Sequence, residues 1–199
     1  MIDITETDQY WEYKRDLVID EIGLGAIPME YRTKELCEIA IIEKRDLNGS
    51  ELKFVPEHLK TRELCEAAVT KNGGNLEYVP EKFKTFDMCE RAVTSDPDAF
   101  EFVPEKLRTF EMCLVSVEYR GNFLAYVPEE FKSQELCELA VQKNGTALEY
   151  VPDGLKTYEL CELAVERSRE WAMDYVPEEF QEELAEKYNV KLPDKAQSR

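Results

Sequence analysis

Residues 54–69 read FVPEHLKTRELCEAAV, and the pattern returns as YVPEKFKTFDMCERAV from Tyr78, FVPEKLRTFEMCLVSV from Phe102, YVPEEFKSQELCELAV from Tyr126 and YVPDGLKTYELCELAV from Tyr150. Prolines stand at 28, 56, 80, 104, 128, 152 and 177, and the first six are followed nine residues later by a cysteine, at 37, 65, 89, 113, 137 and 161. The period is 24 residues, stretched by four in the first repeat around KRDLNGSE and by one in the last. Nearly everything from Gly25 to Phe180 belongs to it. A period of about 20–50 residues marks an architecture in which each segment is too small to bury its own apolar face and leans on its neighbours.

Each repeat reads as two helical pieces. In TRELCEAAVTKNGG, Thr61 suits an N-cap because its hydroxyl can accept from an otherwise unpaired backbone N–H. Glu63 falls in the first turn, where the helix dipole favours an acid. Leu64, Cys65, Ala68 and Val69 make one apolar stripe at helical spacing. Gly73 is expected to stop the helix by taking the left-handed conformation. The second piece, NLEYVPEKFK, is divided by Pro80 into two short turns, with Leu76, Tyr78, Val79 and Phe83 on its apolar side.

The reading is an all-α α-solenoid, an α/α superhelix of about six two-helix repeats between terminal caps. Its divisions are a cap helix over 1–24, the repeat array over 25–180, and a closing helix with a tail over 181–199. The opening helix is expected over about Thr7 to Ile22 and the closing one in EEFQEELAEKYN. With neighbouring helices roughly 8–10 Å apart, the array would span on the order of 60–70 Å. Trp11 and Trp171 are expected to pack in the caps.

The net charge is −18, with 43 acids against 25 bases. Direct binding to DNA, RNA or an anionic membrane is disfavoured, because those ligands reward basic patches. No apolar run is long enough to span a bilayer, and the acidic start MIDITETDQYWEYKRD lacks the basic and apolar regions of a secretion signal. The expected location is cytoplasmic.

The recurring cysteine is either a reagent or a packing piece. Equivalent positions in neighbouring repeats lie roughly 8–10 Å apart, whereas a disulfide needs Cα atoms within about 7 Å. No CxxC pair occurs, and His58 is the single histidine, so a zinc site lacks its ligands. No repeat sets a base beside the thiol to activate it. The cysteine therefore reads as core. GxSxG, phosphate-binding glycine loops, HExxH and EF-hand patterns are missing too, and nearly every polar residue is one rung of a repeated column. The expectation is a protein that is not an enzyme, with no cofactor and no metal.

The repeats, most cleanly ELCELAVQKNGTALEYVPDGLKT, resemble a family of short helical repeats, mainly bacterial and occasionally found in large viruses and protists. The resemblance runs over most of the chain, on the Leu-Cys pair, the Asn-Gly stop and the Tyr-Val-Pro segment. It departs where TSDPDAF sets Pro97 in place of the glycine, and where VEYRGNF keeps only Gly121. It implies an α/α superhelical array with no defined catalytic activity and carries over no site residues.

Partner-binding positions in an array are those that break the consensus on an exposed column. Just after the N-cap stand Lys34, Arg62, Phe86, Phe110, Gln134 and Tyr158, and four residues further on stand Glu38, Glu66, Glu90, Leu114, Glu138 and Glu162. Phe86, Phe110 and Leu114, rimmed by Glu90 and Glu111, could form an apolar anchor for another protein. Alternatively, Phe86 and Phe110 fold over the next short helix and seal it. The basic column Arg32, Lys60, Lys84, Arg108, Lys132, Lys156 and the acidic column Glu35, Glu63, Asp87, Glu111, Glu135, Glu159 raise a further reading. An acidic face could mimic nucleic acid and inhibit a DNA- or RNA-binding protein such as a nuclease or a defence complex. A net charge of −18 over the array and its caps is nevertheless sparse beside duplex DNA, with one charge per about 1.7 Å. Partners are thus another protein, basic or nucleic-acid-binding, and not nucleic acid or membrane.

Overall fold

The structure, a computed structural model, describes residues 4–19, 22–43 and 51–193. Among them the α-helices are α1 (Asp8–Val18), α2 (Lys34–Glu38), α3 (Arg62–Lys71), α4 (Phe86–Ser95), α5 (Phe110–Tyr119), α6 (Gln134–Lys143), α7 (Tyr158–Ser168), α8 (Glu170–Met173) and α9 (Glu178–Tyr188). No strand occurs among the described residues. The chain is an all-α repeat solenoid that divides into two compact units, Met1–Leu107 and Arg108–Arg199. The four-residue expansion at KRDLNGSE falls essentially within 44–50, outside the described residues, as does the end of the tail, 194–199.

The sequence dictates the start of each repeat helix. Thr33, Thr61, Thr85, Thr109, Ser133 and Thr157 sit at the N-caps, and each hydroxyl accepts from the backbone N–H three residues on, at 3.2–3.4 Å. α2 is short and continues as a π-helical turn, Ile39–Glu43. The second piece of every repeat but the last is a pair of 3-10 turns; in the last, α8 and α9 take their place. In the second repeat it runs Gly73–Tyr78 and Glu81–Phe83, with Pro80 between them at φ −56°, the value its ring imposes.

The glycine works differently from the expectation. No glycine among the described residues has positive φ, and α3 ends at Asn72 in extended backbone, φ −152°. The Asn72 Oδ1 accepts from Gly74 N at 2.9 Å and so starts the 3-10 turn. Gly73 is small because the next helix lies against it: a Cβ there would sit 2.4 Å from the Ala92 carbonyl oxygen of α4. In the second unit a Cβ on Gly121 would meet the Ala140 oxygen at 2.2 Å, and one on Gly145 the Ala164 oxygen at 2.3 Å. Glycine here permits close backbone approach, not a left-handed turn. The departures from Asn-Gly keep the geometry: Asp96 has φ −147° and accepts from Asp98 N, and Arg120 has φ −146° without a side-chain cap.

Each unit has two layers, one of α-helices and one of 3-10 segments. In the first, α4 packs on α3 and on the 3-10 segments of its own repeat and the preceding one. Leu64, Cys65, Ala68 and Val69 of α3 and Met88, Cys89, Ala92 and Val93 of α4 meet Leu76, Val79, Phe100 and Val103 there, all buried. In the second, α5, α6 and α7 stack in order over the segments Gly121–Tyr126 and Gly145–Tyr150. Each buried Val, Leu or Phe is worth about 1.5–3 kcal/mol of transfer free energy, and the same set recurs in every repeat.

The ends are closed by helices. Tyr10 and Leu17 of α1 are buried, and the Tyr10 hydroxyl donates to Glu35 at 2.6 Å. α9 matches the expected closing helix, and Lys187 and Tyr188 on it both bind Glu162 of α7. The tryptophans do not pack in the caps as expected. Trp171 is 77% and Trp11 55% exposed. Trp171 lies on α8, which follows Arg169, the residue at the repeat's glycine position with φ +50°, and α8 buries Ala172 and Met173 instead. Trp11 instead lies under the Lys14 ammonium, 4.9 Å from its ring centre.

Candidate functional site

The thiols are placed as packing. All six cysteines are free and buried. Burial pushes Cys37, Cys65, Cys89, Cys113, Cys137 and Cys161 each up to about 11, because the thiolate would lose its hydration. The nearest cations, Lys60 for Cys65 and Lys84 for Cys89, pull the other way without overcoming it. Thiols held neutral in this way are poor nucleophiles and poor metal ligands. No cluster of three or more His, Cys, Asp or Glu that could hold a metal occurs among the described residues. His58 is exposed, beside an open groove of about 590 Å³ lined in part by Ile4, Met29 and Leu59.

The basic column is not a surface. Lys60 donates to the Tyr78 carbonyl and Lys84 to the Phe102 carbonyl, both at 2.8 Å. Arg108 donates to the Tyr126 carbonyl and Arg32 to the Phe54 carbonyl. Each acceptor is the last residue of a 3-10 segment in the following repeat, where carbonyls lack a helical partner. The lysine side chains are nearly covered, 9% exposed at Lys60, 7% at Lys84 and 8% at Lys132. An acid three residues earlier, Glu57, Glu81, Glu129 or Asp153, pairs with the ammonium of Lys60, Lys84, Lys132 or Lys156. The cations therefore staple successive repeats. The sequence showed the column; nothing in its spacing showed that it points inward.

The acidic column does face outward. Glu63, Asp87, Glu111, Glu135 and Glu159 are exposed in the first turns. Backbone N–H donation within the first turn, aided by the cap hydroxyl, holds Glu63 and Glu135 below the usual carboxylate range. Glu35 is lowered first by Lys14 and then by the Tyr10 hydroxyl.

The anticipated anchor residues divide between the two units. Phe86 and Glu90 share the outer face of α4 in the first, and both are exposed, Phe86 at 41%. Phe110, Glu111 and Leu114 share α5 in the second, with Phe110 41% and Leu114 39% exposed. Phe110 also meets Phe131 edge-on at 6.3 Å between centroids, so it leans on the short turn while keeping much of its ring in solvent. Tyr158 makes the same kind of contact with Phe180 at 5.6 Å.

Sequence reasoning missed half of this face. On α5, Val115 is 46% and Tyr119 56% exposed, so that helix is apolar outside as well as inside. The signal lay six residues after the N-cap, where the first unit has a buried Ile39, then Ala67 and Arg91, and the second has Val115, Leu139 and Leu163. Leu139 and Leu163, half-buried, line a groove of about 430 Å³ between α6 and α7, rimmed by Glu135, Glu138 and Glu159. No helix among the described residues is long and apolar enough to cross a membrane.

Five overlapping windows of the chain, 33–84, 61–108, 85–132, 109–156 and 133–181, match the family model described as a domain of unknown function, DUF4116. No curated protein and no solved structure matches.

Proposed function

We propose that this chain, which belongs to the DUF4116 repeat family, is a non-enzymatic, cytoplasmic scaffold that binds another protein through the outward face of its α-helical layer. One observation carries the reading: α5 exposes Phe110, Leu114, Val115 and Tyr119 together, and at the Leu114 and Tyr119 positions every other repeat sets a charged or polar residue. Exposed apolar side chains grouped on one helix and bordered by acids such as Glu111 suit a partner that buries them. Phe86 beside Glu90 offers a second anchor on α4. The absence of catalysis is supported by thiols held at about 11 and by polar residues that repeat as columns, while catalysis needs a unique constellation.

A second reading is an acidic decoy that occupies the cleft of a basic nucleic-acid-binding protein. It is favoured by the inward turn of Arg32, Lys60, Lys84 and Arg108, which leaves the outer α face richer in carboxylates than composition implies.

The test is affinity capture from native extract with wild type and with Phe86→Ala/Phe110→Ala/Leu114→Ala. The scaffold reading expects a partner retained at about 0.5 M salt, where the Debye length is only a few ångströms. It also expects that partner to be lost from the triple variant, whose circular dichroism and melting remain those of a folded array. Retention of the partner by the triple variant removes the apolar anchor. A partner released by salt and displaced by duplex DNA supports the decoy instead.

A further inference from the structure

On the protein-binding reading above, we infer that the outer face of α5, α6 and α7 is a cradle for one kind of partner: a Lys/Arg-bearing amphipathic α-helix lying across the three helices. Val115, Leu139 and Leu163 hold the same position in three successive repeats, so they form a row perpendicular to the helix axes. Leu139 and Leu163 already bound the groove between α6 and α7, and Val115 extends the row to α5 with 46% of its surface free. An accessible aliphatic row is particular to this unit: the corresponding residues of the first are Ile39, which is buried, Ala67 and Arg91.

Spacing selects the occupant. Packed helices stand roughly 8–10 Å apart, which sets the interval between rungs of the row. A partner helix advances about 1.5 Å per residue, so side chains seven apart recur on one face every ~10 Å and meet successive rungs. An extended strand repeats on one face at about 6.6 or 13 Å and meets only one rung at a time.

Charge selects its flank. Glu135, Glu138 and Glu159 are exposed along the N-terminal side of the row, and Glu111 continues that line on α5. Lys187 pairs with Glu162, and Glu138 accepts from the neutral Gln134 Nε2 of its own helix at 2.9 Å, which leaves its charge in place. The C-terminal side of the row is mixed in sign: Gln142 on α6 is matched by Glu118 on α5 and Glu166 on α7, with Lys143 and Arg167 beside them, so only the N-terminal side is uniformly acidic. A helix with an apolar seam and lysines or arginines along one flank complements both features.

The probe is a fluorescent peptide of about 18 residues, lysine–alanine in background, with leucines at every seventh position. Its control has the same composition with leucines at every fifth, which scatters them around the helix. Anisotropy titrations at about 0.15 M salt are expected to show the seventh-position peptide binding at least tenfold tighter than the control. Leu139→Ser/Leu163→Ser is expected to weaken it at least tenfold, and Glu138→Gln/Glu159→Gln several-fold, with unchanged circular dichroism and melting in both. Circular dichroism of the peptide should gain helix on binding. Equal affinity for the two peptides, or unchanged binding by the leucine variant, overturns the inference; equal affinities abolished by about 0.5 M salt would in addition assign the face to the acidic decoy. Failure of the peptide alongside a salt-resistant partner that the Phe86/Phe110/Leu114 variant loses would discard the cradle and leave the scaffold standing. Should the leucine variant melt early, Leu163→Gln alone replaces it and the same tenfold criterion applies.

Discussion

At the residue scale, two glycines of the same repeat family stand in opposite circumstances. Gly145 is pressed by the Ala164 carbonyl, whereas a Cβ on Gly154 would meet nothing within 4 Å. Gly145→Ala is therefore expected to destabilise by about 3 kcal/mol, since backbone must move to admit the methyl. Gly154→Ala should be neutral or stabilising by about 0.4–1 kcal/mol, because it narrows the unfolded ensemble without strain. Urea unfolding of the pair checks both signs. The cysteines give a pH prediction. Their thiols ionise from 9.0 when exposed and at about 11 when folded, so above about 9 the unfolded chain has released protons that the folded one retains. Stability from the thiols is complete below 9.0 and declines as pH rises towards about 11. Urea midpoints at pH 8 and pH 10 should show the fall, and it should shrink in a Cys65→Ala/Cys137→Ala variant.

At the element scale, the short second piece of the repeat depends on its neighbour for its C-terminal end. Lys84 supplies the donor that the Phe102 carbonyl lacks, with Glu81 holding the ammonium from the other side. Lys84→Met keeps the stem and removes the charge, leaving a carbonyl without its donor, and should cost about 1.5–3 kcal/mol. Lys82→Met, two residues away on the exposed side, should stay within about 0.5 kcal/mol. Equal effects from the two would mean that the staple contributes nothing. The capping threonines were legible from sequence because an N-cap is a local contact three residues long. The staple was not, because Lys84 and Phe102 are 18 residues apart and meet only when repeats stack.

At the scale of the whole molecule, a repeat is a removable part. Deleting residues 133–156, one full period, should leave a folded chain whose urea m-value falls with the surface it no longer buries. A variant that fails to fold would show that the second unit needs this repeat and not merely any neighbour. Function is expected to depend on which repeat is removed, since α6 contributes Leu139 and two of the rim acids, Glu135 and Glu138, to the groove.

The sequence by itself determined the period, the all-α class, the N-caps, the split at Pro80 and the burial of every cysteine. Each rests on local rules: a hydroxyl reaching three residues ahead, a ring that fixes φ, an apolar stripe at helical spacing. Only the tertiary structure decided which way the columns face. It turned Arg32, Lys60, Lys84 and Arg108 inward onto carbonyls, left Phe86, Phe110 and Leu114 in solvent, and exposed Trp171. It also gave glycine another task, for the Ala92 carbonyl that crowds Gly73 belongs to the next repeat. The physical reason is the same in each case: spacing along a chain sets the face of a helix a residue occupies, but whether that face meets solvent or a neighbour is settled when the repeats stack.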